Sequence, residues 1–127
     1  MIPKFRAWDK IDKEMYLVDE INFNRGEFES IGDGITFLRG ADEVELMQST
    51  GLHDKNGQEI FEGDIFGTKK DGLLNGIIEY REDLGMWTNS LIRYNNFERL
   101  CNVASSREVI GNVYENPELL EADHDRD

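Results

Sequence analysis

Asp64 and Glu79 are the two acids best placed for metal chemistry. Each sits in a short β-prone segment, Glu59 to Phe66 and Gly72 to Tyr80. Facing one another on adjacent strands, they would hold Mg²⁺, a hard cation that takes carboxylate oxygens and substrate phosphates. That chemistry belongs to a metal-dependent nuclease or hydrolase. Such sites also use a Lys just beyond the second acid, where this chain has Tyr80 and Arg81. His53 and Asp54 offer a base and an orienter, but neighbouring side chains on a strand point to opposite faces.

Three further patterns resolve into structure more readily than into chemistry. Asp54-Lys55-Asn56-Gly57 is similar to part of a calcium loop. With Gly57 at the invariant glycine, however, Leu52 takes the first ligand position and Gly63 the last, where a carboxylate is required. Gly32-Asp33-Gly34 lacks the third glycine of a dinucleotide loop, because Phe37 stands there, and β-branched and aromatic residues follow instead of a helix. It reads as a turn. Cys101 is the only cysteine, so an intrachain disulfide and a thiolate-rich zinc site are excluded and a reducing cytoplasm is favoured. A nucleophilic thiol wants a nearby His, and only His53 and His124 are available. The default reading of Cys101 is a small buried hydrophobe. No catalytic residue, metal ligand or cofactor is assigned.

The elements that must position these groups belong to a chain of 127 residues, long enough for one core without disulfides or metal. Its net charge of −13 repels phosphates, and its 14 Lys and Arg gather in no basic face. Direct nucleic-acid binding is therefore disfavoured, and a solvated acidic surface or a basic partner is expected. The start, Met1 to Arg6, lacks the apolar region of a signal peptide, and no later run is long enough to span a bilayer. A cytoplasmic protein without membrane partners is expected.

Alternation predicts strands at 4–8, 15–18, 21–23, 27–31, 43–49, 59–66, 72–80, 86–88 and 108–114. Asn24-Arg25-Gly26 is a hairpin connection, and the Gly63-Asp64 step a place where a strand bends so that both sides pack into one core. Residues 95–104 are ambiguous: Phe97, Leu100 and Cys101 fit one helical face, whereas 91–94 looks extended. Asn116-Pro117-Glu118 has the order of a helix start, capped by Asn116, with one or two turns to follow. The fold class expected is mainly β, with β-rich α+β as the variant: small, strongly bent sheets or a barrel of short antiparallel strands, ending in a short helical turn. One domain is expected over 1–120, and the tail 121–127, with four acids against one Arg, is expected to be disordered.

Four blocks carry a family resemblance: Phe5-Arg6-Ala7-Trp8-Asp9, Met47 to Gly57, Ile60-Phe61-Glu62-Gly63-Asp64-Ile65, and Glu108 to Leu119. In these residues, and in their order, the chain resembles the YopX family from about Lys4 to Leu120. The resemblance implies a small protein encoded by bacteriophages and prophages, chiefly of Gram-positive bacteria, and a homo-oligomer. It implies no catalytic activity or ligand.

Three functional classes are compatible with these observations. The first is a non-enzymatic accessory protein that binds itself or a host or phage protein through an edge strand or an aromatic surface. Trp8, Tyr80, Trp87 and Tyr94 are its candidate anchors, although a core this small draws on aromatic side chains too. The second is the metal-dependent nuclease or hydrolase built on Asp64 and Glu79. The third is a small nucleic-acid-binding barrel or, better matched to the charge, an acidic mimic that binds a DNA-binding protein.

Overall fold

The alternation in Phe5-Arg6-Ala7-Trp8-Asp9 becomes β1 (Phe5–Asp9), paired antiparallel with β2 (Glu14–Leu17) so that Arg6 lies opposite Leu17 and Asp9 opposite Glu14. The computed structural model describes residues 4–32, 38–68 and 72–121, and contacts divide the chain into two units, one ending at Gln48 and one beginning at Ser49. Asp33 and Gly34 of the glycine turn, the β-branched and aromatic residues at 35–37, the pair Lys69-Lys70, His124 and most of the acidic tail fall outside the described residues.

In the first unit the β1–β2 turn is closed by Asp9. Its fully buried carboxylate accepts from the N–H groups of Ile11 at 2.9 Å and Asp12 at 3.3 Å, and its carbonyl accepts from Lys13 N–H at 2.8 Å. Next come β3 (Glu20–Asn24) and β4 (Glu27–Gly32), a hairpin whose two turn residues have φ of 55° (Arg25) and 83° (Gly26). Positive φ at both central positions is the type I′ pattern that matches the twist of paired strands. β5 (Leu38–Gly40) pairs with β4, and a 3₁₀ turn over Ala41–Glu43 is tied by the Glu43 carboxylate accepting from Gly40 N–H at 2.8 Å. The core is Ala7, Ile31 and Val44, with Val18, Ile21, Phe28 and Leu46 packed against it.

β6 (Val44–His53) pairs its first half with β1 and its second half with β7 (Glu59–Phe61). The predicted strand over 59–66 is two strands, because the chain turns at Glu62-Gly63, with φ +86° at Gly63, before entering β8 (Asp64–Gly67). Asp64 fixes this corner by accepting from Phe61 N–H at 2.7 Å. The packing expectation holds: Ile60 and Phe66, on either side of the corner, are both fully buried in one cluster.

β8 continues into a five-stranded antiparallel sheet of order β11-β10-β9-β8-β12, formed with β9 (Gly76–Arg81), β10 (Met86–Leu91), β11 (Phe97–Arg99) and β12 (Glu108–Asn112). At Gly67 a Cβ would meet the Asn75 Oδ1 at 1.8 Å, and that oxygen accepts from Thr68 N–H at 2.8 Å. Only glycine leaves room for the bond that ends β8.

The ambiguous segment resolves as β11 followed by α1 (Leu100–Val103) and a 3₁₀ turn over Ala104–Ser106. Leu100 and Ala104, four apart, enter the core with Ile60, Phe66 and Ile78, while Trp87, Leu52, Val103 and Val109 pack around them. That spacing turns Cys101 outward, so it is exposed and the expectation of a buried thiol is corrected. Asn116 does not cap the 3₁₀ turn at Pro117–Leu120; its Oδ1 instead accepts from Asn112 N–H at 3.1 Å and closes the turn after β12. The fold class is mainly β, and among the described residues α1 is the one short α-helix.

Candidate functional site

Antiparallel register sorts the second unit's sheet into two faces. Trp87 lies opposite Tyr80 and Asn89 opposite Ile78, whereas Thr88 lies opposite Glu79 and Arg99, and Ser90 opposite Ile77 and Phe97. The first set turns toward the core and the second away from it, since residues facing across a ladder share a face and alternate along each strand. On the second face, where the chain bends between β10 and β11, lies a depression of about 440 Å³. Glu79, Arg81, Ser90 and Phe97 line its sheet side, and Tyr94 and Asn96 its loop side.

The Arg81 guanidinium lies 5.0 Å from the Phe97 ring centroid and binds Asp83 in bidentate fashion, Nε to Oδ1 at 3.0 Å and Nη2 to Oδ2 at 2.8 Å. The hydrogen bond to Asp83 raises the Arg81 pKa, and the same bond lowers that of Asp83. The loop side is braced by Asn96, which accepts from Phe97 N–H through its side chain at 2.8 Å and from Leu91 N–H through its carbonyl at 3.0 Å. Behind the sheet, the Glu98 carboxylate binds both Nη1 and Nη2 of Arg107 and accepts from Asn89 Nδ2 at 3.2 Å. Arg107 holds the Glu98 carboxyl below the ordinary Glu value against the opposing effect of burial.

The candidate acids do not come together. One step along the ladder from the Ile65–Ile77 pair, Asp64 shares a face with Ile78, and Glu79 takes the other. Asp64 is also buried, with one oxygen on Phe61 N–H, and Glu79 is exposed. His53, the last residue of β6, is exposed, while Asp54, just beyond the strand, is buried and taken up by backbone N–H groups. Asp54 Oδ1 accepts from the N–H groups of Asn56 at 2.8 Å and Gln58 at 2.9 Å, and Oδ2 from Val109 N–H at 2.9 Å. Burial pushes its carboxyl upward, but these backbone bonds outweigh it and the net pKa is lowered. No group of three or more His, Cys, Asp or Glu is arranged to hold a metal ion among the described residues.

Of the aromatic candidates, Trp8 is half-buried on β1 in the first unit, opposite Met15 and Glu45. The other three belong to the second unit. Trp87 packs against the core cluster, and Tyr80 stands edge-on to it, with ring centroids 5.2 Å apart and planes at 72°. Tyr80 is 46 % exposed and Tyr94 50 %. Tyr94 lines the depression, whereas Tyr80 rises from the opposite face. Sequence reading missed the grouping of Glu79, Arg81, Asn96 and Phe97, whose only signal is the strand alternation that puts 79 and 81 on one face.

The fold and site define a small, mainly β, acidic protein in which the conspicuous Asp and Asn side chains secure turns. No described helix is long and apolar enough to cross a membrane. The chain belongs to the YopX family, whose description, YopX protein, matches residues 4–121. Among solved structures it is similar to protein EF1440 from Enterococcus faecalis, with 34 % identity, a TM-score of 0.68, and 95 % of this chain and 99 % of that one covered. It is also similar in fold to protein yopX from Bacillus subtilis, at 23 % identity and a TM-score of 0.57, with 96 % and 98 % covered. No curated protein matches the chain.

Proposed function

We propose that this protein is a phage- or prophage-encoded accessory module that works in the bacterial cytoplasm by protein association, with copies of itself and with a host or phage protein, and not by catalysis. The observation that carries this reading is the set of large apolar side chains left in solvent: Leu17 at 72 %, Phe23 and Leu38 at 63 %, Tyr94 at 50 % and Tyr80 at 46 % exposure. Among the described residues Leu17 and Phe23 lie on β2 and β3, each a terminal strand in its sheet order, and apolar side chains at a sheet edge invite another chain. The carboxylates of Asp9, Asp54 and Glu98 are committed to N–H groups and arginines, so these three serve the fold and not a reaction. The net charge of −13 favours a protein partner over nucleic acid.

Native mass spectrometry and sedimentation of the intact chain test the reading, together with affinity capture. A defined oligomer that dissociates on Phe23→Ser while circular dichroism stays unchanged is the expected result. A monomer that captures no protein, yet cleaves nucleic acid with Mg²⁺, would replace it with the hydrolase reading.

A further inference from the structure

We propose that the depression on the β9–β10–β11 face receives an arginine or lysine side chain from a partner protein. This assignment rests on the protein-association reading and specifies the chemistry of the partner. The Glu79 carboxylate is exposed at the depression and accepts no hydrogen bond among the described residues. The one cation among the described lining residues, Arg81, makes two bonds to Asp83, is stacked on Phe97 and lies in the field of Glu79 as well, so two carboxylates face one guanidinium and the local balance stays negative. Arg99 shares this sheet face across Thr88 but does not line the depression.

Tyr94, half in solvent, supplies a ring against which a cationic head or its methylene stem can lie. A carboxylate without a hydrogen bond and a half-exposed aromatic ring lining one depression select for a cation with an apolar stem, and the −13 charge of the chain draws such a partner in.

The test titrates the full-length ¹⁵N-labelled chain with N-acetyl-arginine methylamide, and with the lysine, norleucine and glutamate equivalents. Saturable shifts at the amides of Ser90, Asn95, Asn96 and Phe97 are expected with arginine and lysine alone. Glu79→Gln and Tyr94→Ala should each weaken binding by about fivefold, with an otherwise superimposable spectrum showing the fold retained. Shifts scattered over the acidic surface, an unchanged affinity in Glu79→Gln, or equal binding of the glutamate probe would overturn the assignment. If the probes fail while the chain still assembles or captures a protein, the depression loses its role and protein association stands. If the probes bind as expected but the chain is a monomer that captures nothing, association is the reading that falls.

Discussion

Replacing Asp54 with alanine removes the acceptor for three backbone N–H groups at once, those of Asn56, Gln58 and Val109. The donors are part-buried, so the loss should cost about 3 kcal/mol in a denaturant titration. Asp54→Asn is the finer test. It keeps Oδ1 for Asn56 and Gln58 but sets an amide N–H₂ against Val109 N–H, and a loss of about 1–2 kcal/mol is expected. An unchanged midpoint in both variants would remove the turn from the account of stability. The sequence marks Asp54 as a turn residue through Asp-x-Asn-Gly, but the bond to Val109 spans 55 positions and no local pattern announces it. The Glu98 and Arg107 pair was equally illegible, since opposite charges nine residues apart meet only because α1 reverses the chain between them. Cys101 was misread for a related reason: helical spacing buries Leu100 and Ala104, and the residue between them takes the outer side. A thiol reagent should therefore label the native protein completely without denaturant, and protection until unfolding would contradict that placement.

The strands were largely legible because alternation and turn residues are local properties: β1, β2, β3, β4 and β12 lie close to where the pattern put them, whereas β9 begins four residues after the predicted start at Gly72. The corner at Gly63 was harder. Ile60, Phe61, Ile65 and Phe66 read as one apolar run, and only the positive φ and the Asp64 bond to Phe61 show that it passes from one sheet into another. Two substitutions test element geometry in opposite directions. Arg25 holds φ at 55° in the β3–β4 turn, a region unfavourable for a side chain without local hydrogen bonding. Arg25→Asn creates the Asn-Gly pair that type I′ turns prefer and should stabilise the protein by about 0.5–1 kcal/mol. Gly67→Ala should do the reverse, because its Cβ would stand 2.8 Å from the Asn75 backbone Cα as well as on its side chain. Relieving that overlap should cost about 2–3 kcal/mol. Thermal unfolding measures both, and a destabilised Arg25→Asn would mean that Arg25 makes a contact worth more than its strain.

At the scale of the whole chain, pH should act twice and in opposite directions. The net charge of −13 at pH 7 opposes compaction through self-repulsion, and protonating surface acids on the way to the pI near 4.5 relieves it. Carboxylates as a class take up protons only below about pH 6, so stability should stay level from pH 8 to about 6 and rise from there toward about 5. Asp9, Asp54 and Glu98 then reverse the trend. Burial of Asp9 is outweighed by N–H bonds from Ile11 and Asp12 and by Arg39, so that its pKa, like those of Asp54 and Glu98, lies below the ordinary value. For such groups the unfolded chain takes up the proton first. Their contribution is whole above the ordinary values of 3.8 and 4.5 and drains away as pH drops through the lower folded values. The melting temperature should thus pass through a maximum between about pH 4.5 and 5.5 and fall steeply below about pH 4. Salt separates the two effects, since it screens diffuse surface repulsion far more than hydrogen-bonded buried carboxylates. Adding about 0.5 M NaCl should raise the melting temperature at pH 8 and leave the acid limb nearly in place. A melting temperature that declines steadily from pH 8 downward, with no salt gain at pH 8, would show that the acidic surface imposes no strain on the fold. The charge would then have to be explained by what it attracts.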